Sequence, residues 1–241
     1  MHSQTLTPET DDALLGAALE RIGEEDFLPV LLQWARAALG ASDGSLIRHG
    51  EATPELTAAA SVQGERAQQV GDWYMRGAWY RLEPNLAAAR SAPAALQTTL
   101  ITRAELPDAR WREQYERTGL AERLSLLVPL PGPPAGWVFV NAYRPAHCPI
   151  DSGRALAVLQ RQAWVLAAAV RRHLALRPAS PFEGLSVRER QVIDAILAGA
   201  SAKEAARELG LSPTSIATYR QRAFDKLGIH RQVQLFQLAR R

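Results

Sequence analysis

Two Ser-x-x-Glu boxes near the C-terminus, Ser186 to Glu189 and Ser201 to Glu204, constrain the fold more than any other feature of the chain. In such a box the serine oxygen accepts from the third backbone N–H and the glutamate reaches back to the serine N–H, so each box marks a helix start. Val192, Ile193 and Ile196 give the first helix an apolar face before Gly199 ends it, and Ala205, Ala206 and Leu209 do the same for the second. Gly210 permits a tight turn, Leu211 anchors it inward, and Ser212 caps a third helix with Pro213 in its first turn. Ile216, Tyr219, Ala223 and Leu227 hold that helix to a core, and a short fourth helix completes an all-α unit over residues 185–241.

Upstream, "LRPASPFEGLS" opposes helix continuation through two prolines and a glycine and reads as a linker over 178–184. A chain of 241 residues divided there gives two domains, 1–177 and 185–241. Charge is uneven between them. Residues 181–241 carry ten Lys/Arg against six Asp/Glu, including both lysines of the chain, Lys203 and Lys226, whereas residues 1–180 carry 18 against 19. A basic C-terminal segment favours phosphate backbones, although the surplus alone identifies nothing.

Residues 1–177 mix periods. Leu14, Leu15, Ala18, Leu19 and Ile22 repeat at helical spacing; after Gly23, Phe27, Val30, Leu31, Trp34 and Leu39 mark a second helix ending at Gly40. "GSLIRH", "ELTAAASV" and "QTTLIT" read as short strands, and a third helix carries Val70, Trp73, Tyr74 and Gly77 to about Tyr80, ending before Pro84. Trp111 and Tyr115 mark a short helix closing at Gly119. "RLSLLVPL" and "GWVFVNAYR" are strands joined by a "PGPPA" turn, and a long helix carries Leu156, Leu159, Ala163, Leu166, Val170 and Leu174 on one face. The expected fold class is α+β: an N-terminal α-β-α sandwich around a central antiparallel sheet, followed by a four-helix helix-turn-helix domain.

The third helix of the C-terminal unit points to chemistry. Its face opposite the apolar stripe exposes Thr214, Ser215, Ala217, Thr218, Gln221 and Arg222, small or polar residues with no acid among them. A helix that reads a DNA groove needs donors, close approach and no carboxylate toward phosphate. A solvated helix of a small bundle is the blander account of the same spacing. The whole segment resembles the LuxR-type (GerE-type) helix-turn-helix domain, whose pattern is L-S-x-R-E, G-x-S-x-K-E-I-A, S-x-x-T-V-x-x-H and K-L-G. Leu185, Ser186, Arg188, Glu189, Gly199, Ser201, Lys203, Glu204, Ala206, Leu209, Ser212, Lys226, Leu227 and Gly228 match it as they stand. A sigma-factor C-terminal region shares part of the pattern, but lacks the K-L-G ending and the final helix. The resemblance implies duplex DNA as partner, a homodimer paired through the last helix with Val233 and Phe236, and a roughly palindromic operator. Ser201 and Lys203 then face phosphate, Thr214, Ser215 and Thr218 face the groove, and Gln221 and Arg222 read base edges. Arg188 and Glu189 read as a charge pair at a helix start.

Regulators with such a module carry a receiver or a ligand-binding domain. A receiver needs a lysine at its phosphorylation pocket, and residues 1–180 have none. "DWYMRGAWYRLEPNL" resembles the W-x-x-x-Y…D-P stretch of the autoinducer-binding domain of LuxR-type quorum regulators, and more loosely the related PAS and GAF sandwiches; "WREQYERTGLAERLSLLVPL" resembles the segment ending G-L-x-x-G-x-S-x-P-L, through Gly119, Leu120, Ser125 and Pro129. The resemblance implies a small-molecule site at Val70, Tyr74, Trp79, Glu83, Trp111, Arg123 and Ser125, with a quorum-sensing connection. Val70 stands where that family has tryptophan, Glu83 where it has aspartate and Arg123 where it has glycine. A lost donor and a displaced acceptor each weaken a homoserine lactone, because an unpaired buried polar group costs about 1–3 kcal/mol. A ligand-independent regulator, with an N-terminal domain for dimerisation or a protein partner, is the competing expectation. The aromatic residues of this region serve a core as readily as a pocket.

Other classes find little support. The histidines lack metal spacing, Cys148 is alone, and no phosphate loop or catalytic triad is present, so neither enzyme activity nor a cofactor or metal is expected. The apolar run around residues 155–169 is broken by Gln160, Arg161 and Gln162, so no membrane span is expected, and without a signal-like start the cytoplasm is the expected location.

Overall fold

A computed structural model of the chain describes residues 10–50, 54–64, 66–76, 79–131, 136–176, 182 and 185–239. The chain divides into two compact units, Met1–Arg177 and Pro178–Arg241. The expected "PGPPA" turn, Gly77 and most of the expected linker fall outside the described residues.

The first unit runs α1 (Thr10–Leu19), α2 (Phe27–Leu39), β1 (Asp43–His49), β2 (Glu55–Ser61), α3 (Arg66–Arg76), a 3-10 turn (Trp79–Leu82), α4 (Pro84–Ser91), β3 (Gln97–Thr102), α5 (Ala109–Arg117), β4 (Leu120–Leu130), β5 (Gly136–Pro145) and α6 (Ser152–Leu176). The strands form one antiparallel sheet in the order β2-β1-β5-β4-β3. Alternation along the strands divides the side chains between two cores. Leu46, Leu124, Leu126, Val128, Val138 and Ala142 pack against α1, α2 and α6, on residues such as Phe27, Leu31, Trp34, Leu159 and Leu166. The alternate positions, Ile47, Leu127 and Phe139, face the 3-10 turn and α3, α4 and α5, where Tyr74, Trp79, Tyr80, Trp111 and Tyr115 are buried. The expected α-β-α sandwich is therefore observed.

Two expectations need correction. The third helix, expected to run to about Tyr80, is described over Arg66–Arg76, and Trp79 and Tyr80 lie on the 3-10 turn instead. Pro84 does not follow a helix but begins one: the Glu83 side chain accepts from the Asn85 N–H as N-cap, and proline occupies the first position, where its missing N–H is no loss.

The second unit has four helices, α7 (Val187–Leu197), α8 (Ala202–Leu209), α9 (Pro213–Leu227) and α10 (Gln232–Leu238). Both expected boxes form, on Ser186/Glu189 and Ser201/Glu204, and Ser212 accepts from the Ser215 N–H at the start of α9. Gly210 closes α8 at φ 62°, a left-handed value open to glycine at little cost, which turns the chain directly into α9. Val192, Ile193, Ala205, Ile216, Ala223 and Leu235 form the core, and Phe182, expected in the linker, is buried in it. Glu189 was expected to pair with Arg188. Instead Lys226 Nζ reaches it from α9 at 2.7 Å, joining the first and third helices, while Arg188 donates to Gln191 Oε1 at 3.1 Å.

Candidate ligand cavity and nucleic-acid interface

In the first unit an open-mouthed cavity lies between the sheet and α3 and α5. The sheet supplies Asp43, Ser45, Ile47, Leu56, Leu120, Arg123 and Tyr143; α3 supplies Arg66, Ala67, Val70, Gly71, Trp73 and Tyr74; α5 supplies Trp111, Gln114 and Tyr115. Gly71 lies against the Leu56 side chain, whose Cδ2 a Cβ there would meet at 2.5 Å and displace. Of the seven residues the sequence nominates, Val70, Tyr74, Trp111 and Arg123 line this cavity. Trp79, Glu83 and Ser125 do not. Trp79 stacks on Trp73 with ring centroids 4.8 Å apart and is covered by the Arg110 guanidinium. Ser125 donates to Asn141 Oδ1 at 2.8 Å.

Glu83 and Arg123 form an ion pair whose side chains are each 2% exposed. Arg123 donates through Nη1 to Oε2 at 3.1 Å and through Nη2 to Oε1 at 2.5 Å, while the Tyr74 hydroxyl and the Asn85 N–H donate to the same carboxylate, each at 3.1 Å. These four bonds use the four acceptor directions of the carboxylate, leaving none for a ligand amide. Burial pushes the Glu83 carboxyl up, but the guanidinium and the Asn85 N–H more than reverse it and hold it below its ordinary range. For Arg123 burial acts downward and Glu83 outweighs it, so both groups stay charged.

The cavity wall is mainly apolar, and the charges within it cancel in pairs. Asp43 accepts from Arg66 Nε at 3.0 Å and also from Arg66 Nη2, making a second internal pair. Burial pushes the phenols of Tyr74, Tyr115 and Tyr143 up, so all three remain O–H groups. On the same sheet face Asn141 donates to Ser45 Oγ at 3.1 Å and accepts from Ser125, while Thr99 donates to Asn85 Oδ1 at 2.8 Å. This polar row crosses β1, β5, β4 and β3, in which Ser45, Asn141, Ser125 and Thr99 are register partners. The sequence reading missed Asp43, Ser45, Arg66 and Tyr143 as lining residues. Alternation along β1 and β5 was the signal that could have found them.

In the second unit Thr214, Thr218, Gln221 and Arg222 lie exposed on α9, while Ile216, Ala223 and Phe224 are buried. Steps of four, three and one residues place the four on one face. Arg222 is exposed and makes no bond among the described residues. Three candidates are engaged within the protein. Ser215 is half-buried with its hydroxyl 2.9 Å from Ser212 Oγ, Thr218 donates back to the Thr214 carbonyl at 3.0 Å, and Gln221 donates to Asp225 Oδ1 at 2.8 Å. Asp225 is an acid on this face, so the acid-free surface expected from sequence covers only the first turns of α9. Ser201 and Lys203 are exposed at the start of α8, with Ser201 Oγ accepting from the Glu204 N–H at 3.3 Å and keeping its own O–H to donate. On α10 Val233 is 58% and Phe236 39% exposed, an apolar pair that the core does not use.

Residues 183–239 match the family described as bacterial regulatory proteins, luxR family (GerE). The response regulator UvrY of Escherichia coli (strain K12) is 45% identical over 60 residues, which are 25% of this chain and 28% of UvrY. The chain thus spans only about 28% of that relative's length. Among solved structures, Escherichia coli SdiA is similar over 94% of both chains at 16% identity and a TM-score of 0.47. The N-acylhomoserine lactone-dependent LuxR family transcription factor CepR2 from Burkholderia cenocepacia is similar over 70% of this chain and 96% of its own, at 15% identity and a TM-score of 0.49. Among the described residues no helix is long and apolar enough to cross a membrane.

Proposed function

We propose that this chain, whose residues 183–239 are a luxR-family helix-turn-helix domain, is a DNA-binding transcriptional regulator controlled by a small molecule held in the cavity of its first unit. The observation that carries the DNA half is the exposed stripe of Thr214, Thr218, Gln221 and Arg222 on a helix whose other side is locked into the core. Arg222 reads a guanine edge with its free guanidinium, Gln221 and the Thr218 methyl contact neighbouring bases, and Ser201 and Lys203 hold phosphates. Val233 and Phe236 pair two copies, which makes the operator roughly palindromic. The cavity supports ligand control, because a ligand shifts operator affinity only through unequal binding to two states of the protein.

Selection of duplexes from a random pool by the full-length protein tests this reading. The expected result is an enriched site with two half-sites, and a loss of about 1–3 kcal/mol in binding to it on Arg222→Ala. No preference over random competitor at moderate salt refutes the DNA assignment. Operator binding that no occupant of the cavity alters would instead assign the first unit to dimerisation or a protein partner.

A further inference from the structure

Asp225 stands exposed in the last turn of α9, on the face that carries Thr218, Gln221 and Arg222. An acid there opposes the negative end of the helix dipole and repels phosphate, so neither helix stability nor affinity for a duplex accounts for it. Its Oδ1 accepts from Gln221 Nε2 at 2.8 Å. A carboxylate only accepts, so the pairing decides which end of the glutamine amide lies toward Asp225, namely the nitrogen. Gln221 keeps Oε1 and the second N–H of Nε2, one acceptor and one donor. In the major groove adenine offers the complement, an N6–H that donates and an N7 that accepts. Guanine and thymine present only acceptors there, which an outward Oε1 opposes.

The backbone around Asp225 is held, so its short side chain is a fixed point. Ala223 and Phe224 are buried, Lys226 Nζ reaches Glu189 Oε2 at 2.7 Å, and the Gly228 N–H donates to the Asp225 carbonyl at 3.3 Å where the helix closes. Gln221, by contrast, has a long side chain with several torsions to settle. The Thr218 hydroxyl donates to the Thr214 carbonyl at 3.0 Å and so does not compete for the amide.

We propose that Asp225 is a positioning residue for base readout: by holding the Gln221 amide nitrogen it turns Oε1 toward the groove, and Gln221 then selects adenine over guanine and thymine at one position of each half-site. Asp225 acts through Gln221 and does not itself touch the bases. This inference rests on the DNA-binding reading above and deepens it by naming the base that one side chain selects.

The site enriched by the full-length protein, rebuilt with each of the four base pairs at every half-site position, supplies the test. Fluorescence anisotropy at moderate salt measures binding by the wild type, Gln221→Ala, Asp225→Ala and Asp225→Asn. The wild type is expected to favour adenine over guanine about tenfold at one position, equivalent to about 1.4 kcal/mol, and Gln221→Ala to abolish that preference. Asp225→Ala frees the amide to turn over, and Asp225→Asn offers a partner to either end of it. Each is expected to reduce the adenine preference several-fold at that position, with guanine gaining and preferences elsewhere unchanged. Both side chains are exposed, so these variants keep the fold, and a ratio between duplexes is not moved by a loss of folded protein. A preference that survives both Asp225 changes, a Gln221→Ala variant with every preference intact, or Asp225 variants that shift all duplexes by one common factor overturns the inference and leaves the DNA reading standing. So does a cytosine preference lost with Asp225 but kept without Gln221, which makes Asp225 itself the base reader. Absence of any preferred duplex for the wild type overturns the DNA reading instead.

Discussion

Replacing Glu83 by leucine is the sharpest perturbation of the first unit. The substitution leaves a guanidinium that is 2% exposed without its counter-charge, and it orphans the Tyr74 hydroxyl and the Asn85 N–H at the start of α4. Removing one member of a buried ion pair costs about 3–5 kcal/mol. For a unit of this size that corresponds to a fall in Tm of about 6–20 °C. Arg123→Met leaves the converse charge and is expected to cost a similar amount. Glu83→Leu combined with Arg123→Met removes both charges, leaving mainly the lost cap and the Tyr74 donor, roughly 1 kcal/mol each. The double variant should therefore be more stable than either single one, a large negative coupling in a double-mutant cycle. Tryptophan fluorescence during urea unfolding reads this directly in the full-length chain, because all six tryptophans lie in residues 1–177. A Glu83→Leu loss below about 1 kcal/mol, or additive losses in the double variant, would refute the account of a sealed ion pair.

Acid should weaken the same unit through His49, whose pKa burial lowers to about 4 against the partial opposition of Glu83. Between that value and the ordinary one near 6.5 the unfolded chain binds a proton that the fold refuses, so stability falls as pH drops through this window, by on the order of 3 kcal/mol in full. Urea midpoints at several pH values should show that slope in the wild type and lose it in His49→Leu; identical slopes would remove His49 as the cause. In the second unit, burial raises the Glu189 carboxyl, yet the bonds from Lys226 and Ser186 prevail and hold it low, so its contribution is present above the ordinary carboxyl range and lost as pH falls through the lowered one. Glu189→Ala should destabilise this unit by about 1–2 kcal/mol through the lost cap, with the ion pair adding under 1 because the lysine side chain is 46% exposed. Hydrogen exchange of α7 amides in the full-length chain measures it, and unchanged protection would contradict the role.

Local signals were legible in the sequence where structure is decided locally. The strand "QTTLIT" occupies Gln97–Thr102 and both capping boxes form, since each depends on residues a few positions apart. Helix α4 was missed because glutamate is an uncommon cap and Pro84 reads as readily as a stop as a first helical residue. The Glu83–Arg123 pair spans 40 residues and leaves only one trace, an arginine inside the otherwise apolar run "RLSLLVPL". Likewise the Lys226–Glu189 contact joins residues 37 apart, so nothing near Glu189 could distinguish it from a pairing with Arg188. The engagement of Gln221 by Asp225 was within reach at helical spacing, but Asp225 lay just beyond the stretch taken as the reading face.

The polar row across the sheet bears on how the first unit is made. Its Asn141 to Ser45 bond links positions 96 apart, from strands that are neighbours at the middle of the sheet. A ribosome releases β1 and β2 long before β5 exists, and that early hairpin must wait with an open edge for its central partner. Slippage by one residue when β5 arrives would turn Asn141 into the apolar layer beneath α2 and α6, so the polar row penalises that register.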